Sequence, residues 1–131
     1  MNRFFLVGLT VLFLLFFGCD KKKKIDSELI EIELGKTAKV SNYDLSLKVE
    51  NIDDCRCPIG ARCAWEGYAS AEFQLTTKKG KCNFTLDTHS PPIFKNDTTI
   101  DGIKYQLKEV LPYPVSGEEQ PTKIVKILVG N

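Results

Sequence analysis

Apolar residues recur at every second position along most of this chain. Tyr43, Leu45, Leu47 and Val49 alternate with Asp44, Ser46, Lys48 and Glu50. A period of two puts one apolar row on one face of an extended strand, whereas a helix needs recurrence near 3.6. Ile30, Ile32 and Leu34 alternate with Glu31 and Glu33 before Gly35 breaks the run. Thr37 to Ser41 can continue as a short strand. Ala69, Ala71, Phe73 and Leu75 alternate with Ser70, Glu72, Gln74 and Thr76. Lys78-Lys79-Gly80-Lys81 reads as a hairpin turn, after which Cys82, Phe84 and Leu86 share one face. Residues 87–99 are rich in turn formers, including Pro91-Pro92 and Asn96-Asp97. Ile103, Tyr105 and Leu107 resume the alternation. The phase slips at Glu109-Val110-Leu111, which predicts a bulge or a strand end. Pro112-Tyr113-Pro114 stops that strand, 115–121 is a polar loop, and Val125, Ile127 and Val129 form the last strand.

No stretch after residue 25 combines a helical period with caps. About seven short strands joined by turns predict an all-β fold, an antiparallel β-sandwich or small barrel. There is no internal repeat. The expected organisation is an export signal over residues 1–18, a tether over 19–27 and one β domain over 28–131. Removing residues 1–18 leaves 113 residues, a size that suits one domain with little stability to spare.

The N-terminus reads MNRFFLVGLTVLFLLFFGCDKKKK. Arg3 is a short positive n-region, and residues 4–17 are an unbroken apolar or small-residue run. That run is shorter than the ~20 residues a spanning helix needs and fits the h-region of an export signal. Lys21 to Lys24 after the run oppose export on the positive-inside rule. The shortness of the run and the position of Cys19 argue the other way. Gly18-Cys19 resembles the lipobox of bacterial lipoproteins. That resemblance implies that Cys19 is lipidated and becomes the mature N-terminus, anchoring the protein in the cell envelope, at the periplasmic face or the cell surface.

Five cysteines are an odd number, and a lipidated Cys19 leaves four to pair. In an exported domain, Cys55, Cys57, Cys63 and Cys82 read as two disulfides. Cys55–Cys57 would close a very tight ring. Cys57–Cys63 would close a loop that contains the turn formers Pro58 and Gly60, leaving Cys55–Cys82. Cys55–Cys63 with Cys57–Cys82 is a third arrangement. Cys55-x-Cys57-x5-Cys63 lacks the paired spacing of common zinc sites, and the single histidine, His89, is remote in sequence, so neither a metal nor a cofactor is expected. Asp53, Asp54 and Glu66 are alternative calcium ligands, weighed against ordinary solvated acids.

Residues 25–131 carry 13 Lys/Arg and 16 Asp/Glu. A net charge near −3 without a basic patch argues against nucleic acid. No G-x-S-x-G, H-E-x-x-H or P-loop is present. Asp87-Thr88-His89-Ser90 holds triad letters side by side, but triads assemble from separate segments, so a polar turn is the better reading.

Asp54-Cys55-Arg56-Cys57-Pro58, followed by Cys63-Ala64-Trp65-Glu66-Gly67, resembles a family of small, uncharacterised bacterial exported proteins. These carry a D-S-R-C-P-x4-C-x-W-x-G segment after a strand. Leu107 to Pro114 is similar to a later L-x-x-V-x-P-x-P segment of the same family. The resemblance implies an exported β-rich domain. Because Cys55 stands where that pattern has serine, it also implies the pairs Cys57–Cys63 and Cys55–Cys82. It brings no activity or catalytic residue. Trp65 is expected to be a lid on the core, and its replacement to destabilise the fold. Its alternative role is a binding anchor, with Arg56 and Arg62 beside it. The expected function is that of a non-catalytic binding or structural module of the envelope, contacting an envelope protein or glycan. The alternative is an inhibitor of an envelope or extracellular hydrolase.

Overall fold

The alternating runs form strands that bury their apolar rows against one another. The computed structural model describes residues 26–89 and 95–130. Residues 1–18, Cys19 and Lys21 to Lys24 lie outside the described residues, as do Ser90 and Pro91-Pro92. The described chain holds eight strands: β1 (Glu28–Glu33), β2 (Thr37–Val40), β3 (Leu45–Asp54), β4 (Ala69–Thr77), β5 (Gly80–Asp87), β6 (Asp97–Ile100), β7 (Ile103–Leu111) and β8 (Ile124–Val129). They make two four-stranded sheets, in the orders β1-β8-β7-β6 and β2-β3-β4-β5. Every pairing between these strands is antiparallel. The fold is an all-β sandwich.

The core lies between the sheets and contains the residues that the alternation marked. Leu47, Val49, Phe73, Leu75, Leu86, Tyr105, Val125 and Ile127 are buried there. Phe84 stacks on Phe73 at a centroid distance of 5.2 Å and meets Tyr105 at 5.3 Å. Each such side chain contributes about 1.5–3 kcal/mol on full burial.

Two departures from strict alternation shape the molecule. The slip expected near Glu109 is a bulge: the β7–β8 register shifts between Leu107 and Glu109, which returns Val110 to the core. A second shift, between Val49 and Asn51 of β3, makes Glu50 the extra residue. Before it, Leu45, Leu47 and Val49 point inward. After it, Ile52 and Asp54 carry the half-buried positions and Asp53 is exposed. A bulge bends its strand and re-aims the side chains beyond it, and here it turns one particular carboxylate toward the opposite sheet.

Two expectations need correction. Residues 97–99 are not part of a turn. They belong to β6, which pairs with β7 through the two-residue turn Asp101-Gly102, with φ of 51° and 77°. An Asp-Gly pair with positive φ at both positions is the favoured hairpin connection. β6 lacks an apolar alternation, so periodicity could not reveal it. β3 begins at Leu45 rather than Tyr43, because Tyr43 and Asp44 lie in the turn from β2.

The two ends of the sandwich differ. Asp26 lies at the β2–β3 turn, where its carbonyl accepts a hydrogen bond from Asn42 Nδ2. Glu28 accepts one there from the Ser41 amide. The cysteine-rich loop leaves β3 at the other end, and the ten residues of β3 span about 33 Å between them.

Candidate functional site

The loop from Cys55 to Tyr68 forms one end of the sandwich and is held by three kinds of bond. Backbone bonds continue the β3–β4 ladder into it: the Cys55 amide donates to Tyr68 O at 2.9 Å and the Cys57 amide to Glu66 O at 2.7 Å. A Cys57–Cys63 disulfide closes the inner loop, with a Cα–Cα distance of 5.9 Å. For a ring this small the chain-entropy model gives at most about 2.3 kcal/mol. A short parallel bridge joins Ile59 to Val115 in the loop after β7. The Ile59 amide donates to Pro114 O at 2.9 Å, and the Ser116 amide donates to Ile59 O at 2.9 Å.

Beneath the loop lies an ion cluster. Asp54, aimed inward by the β3 bulge, accepts from Arg56 Nε and Nη2 at 2.7 Å each. It also accepts from Lys123 Nζ at 2.7 Å. The cations have further partners: Arg56 donates to the carbonyls of Val110 (3.0 Å) and Pro112 (3.3 Å), and Lys123 donates to Pro112 O at 2.9 Å. The Arg56 guanidinium lies 4.4 Å from the Tyr113 ring centroid, on its face. The three charged side chains are only 9–13% exposed. Burial pushes the Asp54 carboxyl up, but hydrogen bonds from Arg56 and Lys123 and the charge of Arg56 outweigh it and hold the group down at about 2. The cluster bolts the end of β3 to the β7–β8 loop. It also joins Asp54 and Arg56 to residues 110–112.

This arrangement redistributes the residues read from the sequence. Arg56 is a brace with little exposed side-chain surface, and what remains open lines the cleft beside the loop. Its bidentate partner at Asp54 and the carbonyls of Val110 and Pro112 take four of its five N–H donors. Trp65 is 78% exposed and does not cover the core. The expected lid role is wrong, because the ladder bonds at Cys57 and Glu66 carry the loop tip beyond the end of the sandwich. Arg62 is exposed on the same tip, and Ile59, which the sequence did not single out, is 60% exposed. Lys123, distant in sequence from Asp54, offered no local signal of its role.

The pair Cys55–Cys82 is not formed; both thiols are free and exposed. Cys55 faces Tyr68 beside β4, whereas Cys82 faces Leu75, seven positions farther along that strand. That is about 23 Å along the sheet, far beyond the reach of a disulfide. The Glu50 bulge also leaves Cys55 on the outer face.

The acids weighed for calcium do not converge. Asp54 is taken by two cations, and Asp53, on the opposite face of the strand, accepts from Asn51 Nδ2 at 3.3 Å. Asp87 ends β5, and Thr88 and His89 follow it beside the start of β4. Asp87 accepts from the Lys95 amide, and Thr88 Oγ1 from the Ala69 amide. The His89 ring meets Tyr68 edge-on at 6.3 Å. Beside the loop, a cleft of about 260 Å³ is lined by Arg56, Glu66, Thr88, His89, Lys108 and Tyr113. Its donors and acceptors suit a polar group. No family model, curated protein or solved structure matches the chain.

Proposed function

We propose that the protein is a lipid-anchored envelope protein that acts as a non-catalytic binding module, with Trp65, Ile59 and Arg62 as its contact tip. The observation that carries this reading is the contrast between Trp65 and its neighbours. Asp54 and Arg56 form the ion cluster, Cys57 and Cys63 the disulfide, and Gly67 a close backbone approach. Trp65 alone of these has no packing task and stands 78% exposed on a braced support. The backbone that carries this aromatic is already fixed by the ladder bonds and the disulfide, so less chain freedom is left for binding to remove, and Trp is enriched among the residues that dominate interfaces. The anchor reading rests on Gly18-Cys19 and the apolar run before it. Asp26 and Trp65 lie at opposite ends, so a chain held at Cys19 can present its tip away from the bilayer.

Trp65→Ala is expected to change unfolding free energy by no more than about 0.5 kcal/mol, as for other exposed positions, while abolishing capture of a partner from detergent-solubilised envelopes. A large loss of stability, or an unchanged set of captured molecules, refutes the contact role. If the captured partner is a hydrolase whose turnover falls on binding, the module is an inhibitor. The anchor is tested separately by the intact mass of protein extracted from its native membranes. The expected species is residues 19–131 plus acyl chains; an unacylated, uncleaved chain rejects the lipoprotein reading.

A further inference from the structure

β5 is an edge strand of its sheet, with β4 on one side only. The bonds at its end reveal which residues face outward. The Thr88 amide donates back to the carbonyl of Ala69, the first residue of β4, whereas the Asp87 amide points away and donates to Lys95 O. Alternation along an antiparallel ladder then puts the backbone groups of Cys82 and Phe84 on the β4 side and those of Lys81, Asn83 and Thr85 on the open side. No strand among the described residues pairs with that open side. Such an edge is a template for another strand. Cys82 sits on this edge with an exposed thiol. It shares the core-facing row of Phe84 and Leu86 but emerges at the corner, where it borders a hollow of about 290 Å³ beside Ile100 and Asp101.

We propose that two copies of this chain pair antiparallel through their β5 edges and are locked by a Cys82–Cys82′ disulfide. Centring the pairing on Cys82 sets Lys81 opposite Asn83 of the second copy, and both have outward backbone groups, so they make the hydrogen-bonded pairs. Cys82 then faces Cys82 as a non-hydrogen-bonded pair, where Cα atoms are about 4.5 Å apart, inside the disulfide range. About five residues of each strand overlap, far short of the ~1,200 Å² that stable interfaces bury. The dimer therefore depends on its covalent bond: oxidised protein is dimeric and reduced protein monomeric. Cys82 lies at the same end of the sandwich as the β2–β3 turn, three strands across the sheet from β2. The two Trp65 tips lie at the far ends. The oxidant is a small disulfide. A Cys82 thiolate attacks one of its sulfurs and expels a thiolate, giving a mixed disulfide. Cys82 of the second copy then attacks the protein sulfur and expels the second thiolate. Two protein thiols lose two electrons and two protons, and the small disulfide becomes two thiols.

The test is to treat the full-length protein, purified in detergent, with oxidised glutathione and to map linked peptides by mass spectrometry. A Cys82–Cys82 peptide is expected, retained in Cys55→Ser, lost in Cys82→Ser, and accompanied by a return to monomer on reduction. Asn83→Pro removes an outward amide hydrogen without touching the β4 ladder, as proline is tolerated on strand edges. It should slow linkage at least about tenfold by blocking the pairing. Lys81→Pro, which removes the other outward amide inside the overlap, serves the same purpose if circular dichroism shows that the first variant does not fold. No linked Cys82 peptide, or linkage in both proline variants as fast as in the parent, overturns the proposal; the latter would mean chance collision of exposed thiols.

Discussion

Asp54→Ala is expected to destabilise the domain by about 3–5 kcal/mol, the usual consequence of removing one partner from a buried ion pair. The reason is asymmetric. Arg56 and Lys123 keep the carbonyls of Val110 and Pro112, but both charges stay nearly buried with no counter-ion. Breaking the cluster also frees the end of β3 from the β7–β8 loop, so the tip carrying Trp65 should loosen before the core melts. Urea denaturation of parent and variant gives the number. A loss below about 1 kcal/mol would place the cluster with ordinary surface pairs. Replacing the triad together, as Asp54→Leu, Arg56→Met and Lys123→Met, should recover much of the loss, since well-packed apolar groups often substitute for a buried ion pair without penalty.

The same carboxylate gives a pH signature. Its folded value of about 2 lies below the ordinary aspartate value of 3.8. A depressed folded value stabilises the native state above the unfolded value and loses that contribution as pH falls through the folded one. Stability from Asp54 should therefore be complete at neutral pH and decline from about pH 4 down to about 2. Each tenfold change in proton affinity is worth about 1.4 kcal/mol, so the loss is at most about 2–3 kcal/mol and smaller after screening by water at the rim of the pair. Asp54→Asn should flatten this part of the acid-unfolding profile.

The fold was legible in the sequence because its main determinant, a period of two, is local. β1, β4, β7 and β8 could be read residue by residue. β6 could not, because its four residues lack an apolar row and its identity comes from pairing with β7 across Asp101-Gly102. The site was legible in its letters but not in its roles. Asp54, Arg56 and Trp65 all stood out, yet their faces depend on the bulge at Glu50, and nothing in the alternation Leu45, Leu47, Val49 announces an extra residue there. Without the bulge Asp53 would face inward and Asp54 would be solvated. Cys55 misleads for a similar reason: an even count of thiols suggests pairing, but pairing is decided by register, which separates Cys55 from Cys82 along β4.

Gly67→Ala should cost about 2–4 kcal/mol, adding left-handed backbone strain to overpacking. Gly67 has φ of +73°, and a Cβ there would collide with Cys55 O and lie 2.9 Å from Arg56 Cα. These are backbone atoms, held by ladder bonds on either side at Cys55–Tyr68 and Cys57–Glu66, so no side chain can swing away to relieve the contact. Either the ladder opens, which detaches the Trp65 loop, or Arg56 shifts and its bidentate bond to Asp54 is lost. Gly117 separates the two contributions. Its φ is +80°, nearly the same, but nothing lies within 4 Å of its added Cβ, so Gly117→Ala should show the backbone strain alone, about 1–2 kcal/mol. Chemical denaturation of both variants measures the difference. An excess of at least about 1 kcal/mol at Gly67 is the expected contribution of the close approach; equal losses would mean that the loop yields freely. On the proposed contact role of Trp65, Gly67→Ala should then also lose partner capture, as is expected of Trp65→Ala, because that role needs the backbone beneath the ring to be fixed.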